Sequence, residues 1–449
     1  MQNRLNKFIP DFIKKRLTNR PVLQKILKNV GWLTFDRFFQ LVVSVLIGVW
    51  VARYLGPSDF GLMNFAIAFG SLLGPFVGLG VTSILVRELV TNPKNKSALI
   101  GTAFWIQFVT GIIAMIVMNI AILILRPSDL MSFLVVFVFS LGYIFSVFDI
   151  LSCWFDSKVE SKNVVFARNG GIILSSILKV GFILLGFPLI YFVIASLLDA
   201  IFRAIFLLYF YFKDKESIFS WKFDFTLAKT LFASSWPLIF SGTMIVIYMK
   251  IDQVMLGFLL GDAQVGLYSV SVKLTEIFYF LPGAIMISLF PSLITSKKIS
   301  KEVYHSRLQK LFDFMTWVPF VIILPIFVLS SFLVFFLYGP EYVLAGPALA
   351  ISIWALFAVF VKEAVSNYLI NENLTKIVFV TAFLGAVSNV VLNLILIPLY
   401  GINGAALATV ISYLLAAYLG LVFFKETRPI FLMLLKSFNI FRLLKLVKK

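Results

Sequence analysis

Charged side chains lie inside several long apolar runs of this 449-residue chain. Because an ionisable group in hydrocarbon costs free energy, each predicts either a functional site or a buried ion pair. Bases that line a polar cavity can bind an anionic ligand, and acids there can carry a proton or a sodium ion. The basic candidates are Arg37, Arg53, Lys179, Arg203, Lys250, Lys273 and Lys362. The acidic candidates are Asp36, Asp149, Asp199, Asp252, Glu276 and Glu363.

Helical spacing places some of these residues on one polar stripe. Arg37 and Gln40 are three residues apart, and Ser44 and Gly48 continue the same face at intervals of four. The stripe predicts the lining of a cavity. The alternative is that Arg37 extends its guanidinium to the membrane interface.

Other spacings favour ion pairs as much as binding sites. Lys273 and Glu276 are three apart, so they form either a cavity-facing base tuned by an acid or a closed structural pair. Asp199 and Arg203, four apart, favour a salt bridge. Lys179 fits either interpretation.

Two further sets are ambiguous in different ways. Lys362 and Glu363 are adjacent and point about 100° apart around a helix, so only one can face the centre.

Four charged residues fall toward the predicted outer end of their helices, and we expect them to form a gate whose pairs break on opening. They are Arg53, Asp59, Lys250 and Asp252.

The composition requires a membrane for most of the chain. Hydrophobic residues make up 61% and charged residues 13%, against about 45–50% and about 25% in soluble domains. The mean hydropathy of +1.00 leaves no room for a large aqueous domain. One cysteine, Cys153, excludes an internal disulfide framework. One histidine, His305, argues against a histidine-based metal site or general base and favours a solvated loop position.

Twelve apolar runs are long enough to cross a bilayer as helices, which takes about 20 residues. We number them span 1 to span 12 in chain order. Their predicted ranges are 30–54, 60–87, 98–125, 129–155, 164–186, 189–212, 230–256, 265–295, 311–338, 343–370, 376–398 and 402–424.

The net charge of +18 first suggests nucleic acid, but its distribution argues for a membrane and against nucleic acid. The two tails and the even-numbered connections hold 31 basic residues, whereas the odd-numbered connections hold only Arg53 and Arg126. Positive loops stay in the cytoplasm. Both termini are therefore predicted to be cytoplasmic, in the inner or plasma membrane, and the odd connections are predicted outer turns. These turns are too short for the catalytic loop of a membrane glycosyltransferase.

Both tails are basic and carry apolar residues at helical intervals. Residues 1–29 and 425–449 are predicted to be amphipathic helices on the anionic cytoplasmic leaflet; disordered basic tails are the alternative. Between them lie the predicted halves, 30–212 and 230–424, joined by a cytoplasmic linker at 213–229.

An internal repeat supports the division into halves. The segment LGPSDFGL at 55–62 has a counterpart, LGDAQVGL, at 260–267, at an offset of 205 residues. Each copy lies in an outer turn, and each following helix meets a proline, Pro75 or Pro282, which should bend it. An offset of six spans predicts an all-α membrane protein of about twelve helices in two pseudo-symmetric halves around a central cavity, as in transporters. Glycines at 70, 74 and 78 predict close helix packing along span 2.

Four motifs, in order along the chain, resemble those of polysaccharide or O-antigen flippases in the multidrug/oligosaccharidyl-lipid/polysaccharide exporter superfamily. They are Ala52–Leu62, Ile251–Gly257 with Val265–Tyr268, Tyr338–Tyr342 and Tyr400–Ala406. The resemblance covers nearly the whole chain. Lipid II flippases of the superfamily usually carry two further C-terminal helices, so lipid II is a less expected substrate.

The resemblance implies a flippase that moves a polyprenyl-diphosphate-linked oligosaccharide to the outer leaflet by alternating access. Among the polar and charged candidates within the spans, five are expected to contact such a substrate: Arg37, Gln40, Arg53, Lys273 and Lys362. Gating or ion coupling is expected from Asp36, Lys250, Asp252 and Glu276. Partners would be the lipid-linked oligosaccharide, membrane lipids and possible polysaccharide polymerases or ligases.

Three other functions remain open at this stage. A multidrug cation antiporter of the same superfamily is the nearest alternative, and a non-transporting scaffold for polysaccharide assembly is the second. An enzyme is the least expected, because no His, Cys or DxD constellation stands at a membrane face. We predict no catalytic residue, metal or cofactor, and GxxxxGK[ST] for nucleotide binding is absent from the sequence.

Overall fold

The computed structural model describes residues 21–78, 80–297 and 299–439, and their regular structure is helical. Through span 6 the α-helices are Pro21–Ser71, Gly74–Gly78, Val81–Thr91, Lys96–Leu125, Leu130–Ser146, Ile150–Ser157, Ser161–Leu184 and Leu189–Lys213. After the linker they are Phe225–Leu259, Asp262–Glu276, Phe280–Lys297, Lys301–Trp317, Phe320–Tyr338, Ala345–Ser352, Ala355–Asn371, Thr375–Ala417 and Arg428–Ser437.

Ten stretches of the described residues are long and apolar enough to cross a membrane. Two of them, Gly31–Ser71 and Thr375–Leu421, are 41 and 47 residues long. Each is broken by a non-helical glycine, Gly56 in the first and Gly401 in the second. Each therefore contains two spans, and the prediction of an all-α membrane protein with about twelve helices is confirmed.

Each predicted outer turn contains one residue with a positive φ angle. Glycine, which lacks a Cβ, adopts that conformation without strain. Five of these residues are glycines and the sixth is a serine: Gly56, Ser128, Gly186, Gly261, Gly339 and Gly401. Gly56 and Gly261 occupy the same position in the two copies of the repeat.

The two copies also break at the same place after this turn. The first helix is interrupted after Ser71 and the second after Glu276, again 205 residues apart. Pro75 and Pro282 follow the interruptions, as expected for residues that cannot donate a helical backbone hydrogen bond. The prediction of close packing at Gly74 and Gly78 is wrong, because no described atom lies within 4 Å of a Cβ built on either.

Internal contacts divide the described residues into two units. Unit 1 is formed from the described residues of the ranges Met1–Gly48, Phe76–Ala121 and Phe137–Trp236, and unit 2 from those of Val49–Pro75, Ile122–Val136 and Pro237–Lys449. The predicted outer ends of spans 1 to 4 thus belong to unit 2. These units do not coincide with the predicted halves, 30–212 and 230–424, and the division into two repeat-related halves stays a prediction.

Part of the C-terminal tail forms the expected amphipathic helix. Ile430 and Leu434 of this helix, Arg428–Ser437, are buried within unit 2. The Gln309 amide nitrogen donates to the Met433 carbonyl at 2.8 Å and to the Ser437 hydroxyl at 2.9 Å. The apolar face therefore packs on protein. Residues 1–20 of the N-tail and 440–449 of the C-tail lie outside the described residues.

Candidate functional site

In unit 1 the predicted polar stripe of span 1 is open. Arg37 and Ser44 are exposed, Gln40 is half-buried, and a Cβ on Gly48 would meet no described atom within 4 Å. No hydrogen bond or ion pair joins Arg37 to another described residue. A cation on such a face is available to a ligand.

Asp36, the residue before Arg37, points about 100° away from it around the same helix and is buried. Its Oδ2 accepts from the Arg168 guanidinium at 2.9 Å. Its Oδ1 is buried without a hydrogen-bond partner among the described residues. This carboxylate is therefore only partly satisfied.

The predicted Asp199–Arg203 salt bridge is wrong. Arg203 pairs instead with Asp149 of span 4, at 3.1 Å. Span 5 passes very close to Asp199, since a Cβ on Gly171 would lie 3.1 Å from its Oδ1. The Asp199 Oδ1 is buried without a hydrogen-bond partner among the described residues. Lys179 of span 5 is half-buried.

In unit 2 the two predicted substrate-binding lysines contact aromatic rings. The Lys362 ammonium donates to the Tyr248 hydroxyl at 2.6 Å and lies 3.9 Å from the ring centroid. The Lys273 ammonium lies 4.4 Å from the centroid of the Phe60 ring. Both lysines are half-buried. Aromatic faces stabilise an ammonium without neutralising it, so the charge of Lys362 remains available to an anion.

Glu276 forms an ion pair with Lys250 of span 7, at 2.9 Å. The Lys273 ammonium lies over the Phe60 ring. The choice between a cavity-facing Lys273 and a closed Lys273–Glu276 pair stays a prediction. Glu363, next to Lys362, accepts a hydrogen bond from Asn367 at 3.0 Å. The adjacent acid and base thus have different partners.

Asp252 lines a small polar cavity within unit 2. Its side chain is only 2% exposed, and its Oδ2 accepts from the Tyr268 hydroxyl and, at 3.1 Å, from Thr409. The Ser352 hydroxyl also lines the cavity and has no hydrogen-bond partner among the described residues. A buried carboxylate surrounded by hydroxyl oxygens is an arrangement that holds a proton or a small cation.

The predicted outer end of unit 2 is closed by a reciprocal crossing of the two repeat copies. A Cβ on Gly61 would lie 1.7 Å from the carbonyl oxygen of Asp262, and a Cβ on Gly266 would lie 2.0 Å from that of Pro57. Pro57 and Asp262, like Gly61 and Gly266, are 205 residues apart. The two helix starts therefore touch backbone to backbone in a pseudo-symmetric way.

An ion pair beside the crossing, the Arg126–Asp262 latch, joins span 3 to the start of span 8. The Arg126 guanidinium donates to both carboxylate oxygens of Asp262, at 2.9 and 2.8 Å, and to the Gly257 carbonyl at 2.7 Å. It also stacks 4.1 Å from the Phe65 ring centroid. The two charged side chains are 12% and 20% exposed. Because the pair is bidentate and largely shielded from water, it contributes more than a surface pair.

Arg53 makes a second outer contact, and its partners lie outside the predicted gate set. Its guanidinium donates to the carbonyl oxygens of Phe336 and Leu337, at 2.6 and 2.7 Å. These carbonyls end the helix of span 9, where cations are favoured. The Tyr342 hydroxyl donates to the Ala52 carbonyl nearby at 2.8 Å. Asp59 is exposed and Lys250 pairs with Glu276, so the outer contacts differ from the predicted gate set.

Sequence reasoning did not select Arg126 or Asp262, although the sequence contained a signal for both. Arg126 is one of only two bases in the odd-numbered connections. Asp262 stands in the repeat where the first copy has Pro57. The hydroxyl groups around Asp252 had no comparable signal, because tyrosine, serine and threonine are common in membrane helices.

Comparisons with known proteins place the chain in a family. Residues 50–347, about two thirds of the chain, match the profile of the family described as "Polysaccharide biosynthesis protein". Over 179 residues the chain is 27% identical to the "Probable flippase AglR" of Haloferax volcanii. That match covers 38% of this chain and 37% of the relative, so it spans little more than a third of that protein.

Solved structures show the fold. An inward-facing multidrug resistance MATE family transporter of the MOP superfamily superposes with a TM-score of 0.72 at 16% identity, covering 92% of this chain and all of the other. The lipid II flippase MurJ in an inward closed conformation gives 0.68 at 19% identity, covering 94% and 93%. The expected resemblance to this superfamily is confirmed, and the chain belongs to the polysaccharide biosynthesis protein family.

Proposed function

We propose that this protein is a flippase that moves a polyprenyl-diphosphate-linked oligosaccharide from the cytoplasmic to the outer leaflet for cell-surface polysaccharide synthesis. The observation that carries the proposal is the match of two thirds of the chain to the polysaccharide biosynthesis family. The partial similarity to a probable flippase supports the reaction. The fold alone does not distinguish a flippase from a drug transporter, because a drug transporter and a lipid II flippase share it.

The proposed mechanism is alternating access. The diphosphate is a compact anion that cannot cross hydrocarbon without polar contacts, and exposed Arg37 with Gln40 supplies such contacts in unit 1. Lys273 and Lys362 supply them in unit 2, where each ammonium group lies against an aromatic ring. Arg53, by its contacts, fits an outer gate better than a substrate site.

Gating and coupling fall to the acidic residues in this proposal. Asp252 is the strongest candidate, since it is buried in a polar cavity with hydroxyl neighbours. Asp36 has one unsatisfied oxygen, and the Lys250–Glu276 pair can open when either partner changes its charge. The energy source would be an ion gradient or removal of the product outside.

The remaining proposals concern location and partners. The distribution of basic residues supports a cell-membrane protein with both termini in the cytoplasm. The reaction is transport and not catalysis, and a polymerase or ligase outside would consume the product. A scaffold without transport is less consistent with an exposed, unneutralised Arg37 on a membrane helix.

Deletion of the gene in its source organism tests the reaction. Polyprenyl-diphosphate oligosaccharide should accumulate at the cytoplasmic face, and surface polysaccharide should be lost. Normal surface polysaccharide with new sensitivity to cationic drugs would reject the flippase and establish the multidrug antiporter.

Arg37→Ala and Lys362→Ala should each lower flipping by about tenfold to a hundredfold, because hydrogen bonds to charged groups contribute about 1.5–3 kcal/mol. The measurement is translocation of a short-chain polyprenyl-diphosphate disaccharide in proteoliposomes. Arg87→Ala is the matched control, since this exposed arginine pairs only with its neighbour Glu88 among the described residues. If Arg37→Ala and Lys362→Ala flip the substrate as fast as Arg87→Ala does, neither residue belongs to the substrate site.

Asp252→Asn should remove most of the dependence of flipping on an imposed proton or sodium gradient. The asparagine amide has nearly the same shape as the aspartate carboxyl group, but it neither binds a proton near neutral pH nor attracts a cation. Flipping without a gradient should change much less. Glu302→Gln, at an exposed acid, is the control. Unchanged gradient dependence in Asp252→Asn would assign coupling to another acid.

A further inference from the structure

The linker between spans 6 and 7 is fixed to unit 1. The Lys222 amide donates to the Ser97 carbonyl at 3.3 Å, and the Asp224 amide donates to the Thr102 hydroxyl at 3.0 Å. A Cβ on Gly101 would lie 2.6 Å from the Lys222 carbonyl oxygen. The linker backbone therefore lies directly against the beginning of span 3.

Trp221 fixes the middle of the linker. Its ring centroid lies 5.0 Å from that of Phe104, and its indole N–H donates to the Tyr211 hydroxyl at 3.0 Å. Tyr211 is itself buried. Because one aromatic side chain of the linker is held inside unit 1, the orientation of its neighbours is also determined.

The acidic residues of the linker are occupied by partners within unit 1. Asp214 pairs with Lys158 at 2.9 Å, and Glu216 pairs with Lys96. Asp224 accepts from the Leu227 amide and so caps the following helix. The exposed basic residues keep an outward charge that these pairs do not cancel. They are Lys213, Lys215, Lys222 and Lys229.

Three phenylalanines of the same segment point away from the protein. Phe219 is 92% exposed, Phe225 77% and Phe223 52%. Exposed phenylalanine is expected within a membrane span, but Phe219 and Phe223 lie in the linker between two helices. With the lysines they form the linker face, which we define as Lys213, Lys215, Phe219, Lys222, Phe223, Phe225 and Lys229.

We propose that the linker face binds anionic lipids of the cytoplasmic leaflet, with the phenylalanines inserted below the phosphates and the lysines among them. The helix of span 6 ends at Lys213, and the helix that contains span 7 begins at Phe225. The short segment between them is tethered at both ends to helices that enter the membrane, which holds it near the membrane surface. Aromatic residues are favoured at this depth. Basic residues beside them match the charge of an anionic leaflet.

A fluorescent label on the linker face tests the proposal independently of transport. The full chain carries Cys153→Ala, which removes its one buried thiol, and either Phe219→Cys or, as control, Asn95→Cys. Asn95 is exposed in another connection on the same predicted side of the membrane. Each protein is labelled with bimane and placed in vesicles of phosphatidylcholine, with or without phosphatidylglycerol.

Brominated acyl chains should quench the label at position 219 several times more strongly than the label at 95, and phosphatidylglycerol should increase this difference. A variant with all four lysines changed to glutamine should lose the response to phosphatidylglycerol. If iodide in the water quenches both labels equally, the linker face is solvated and the proposal is overturned. Protection of position 219 in native membranes but not in vesicles would overturn it in favour of a protein partner.

Discussion

Arg126→Ala should shift the protein toward an outward-open state and lower flipping by about tenfold or more. Breaking one partner of a largely buried ion pair costs about 3–5 kcal/mol, and only about 1.4 kcal/mol is needed for a tenfold change in an equilibrium. Asp262 would also lose both of its guanidinium contacts. The loss should appear in transport, because in the proposed alternating-access mechanism the substrate enters from the cytoplasm while the outer end is closed.

The shift can be measured separately from transport with a buried reporter. Ala66, only 1% exposed, lies one turn beyond the crossing in span 2. In a Cys153→Ala background, a membrane-impermeant thiol reagent should label Ala66→Cys much faster when Arg126→Ala is added. Labelling and flipping both within about twofold of the parent protein would contradict the role of the latch, since the shift would then be below about 0.4 kcal/mol.

Two further variants separate the charge from the geometry of the latch. Arg126→Lys keeps the charge but lacks the fork that contacts both carboxylate oxygens, so it should retain only part of the function. Exchanging the charges, with Arg126→Asp and Asp262→Arg together, should restore more labelling protection than either single change. Failure of the double variant to improve on both single variants would mean that Arg126 acts mainly through its other contacts, which are the Phe65 ring, the Gly257 carbonyl, Ser132 and Asp129.

Gly61→Ala and Gly266→Ala should each prevent closure of the outer end. The added Cβ would overlap a backbone carbonyl oxygen, at 1.7 Å and 2.0 Å respectively, and backbone atoms cannot rotate away. We expect flipping to fall roughly tenfold to a hundredfold, because overpacking costs about 1–3 kcal/mol even where side chains adjust. The Ala66→Cys reporter should become labelled from outside in both variants.

Matched controls come from glycines in open positions. No described atom lies within 4 Å of a Cβ built on Gly181 or Gly283, and alanine is the better helix former. Gly181→Ala and Gly283→Ala should therefore keep full transport. A monodisperse Gly61→Ala protein with normal flipping and a protected reporter would show that the crossing is not part of the gate.

Much of the fold could be predicted from the sequence because the signals are strong and local. Long apolar runs must be helices in lipid, and the glycine turns with their following prolines marked where the helices break. Gly74 and Gly78 show the limit of such reasoning. Their spacing matches a packing motif, but close approach depends on a neighbouring helix, and the sequence of span 2 alone does not contain that neighbour.

The site was less predictable, because partners across helices are not encoded by spacing. Lys273 and Glu276 share a helix face, yet Glu276 pairs with Lys250. Arg203 likewise pairs with Asp149 of another span. The intramembrane charged residues do make specific contacts, as their selection as candidates predicts. Assigning their partners failed wherever a tertiary contact competed with a helical neighbour.

The glycine crossing gives a physical reason for the likeness between the segments at 55–62 and 260–267. The two segments face each other, so a bulkier residue at Gly61 or Gly266 would collide with the main chain of the other segment. Each segment therefore limits which residues the other can hold. If the predicted halves are related as two copies, their likeness should be strongest at the point where they touch.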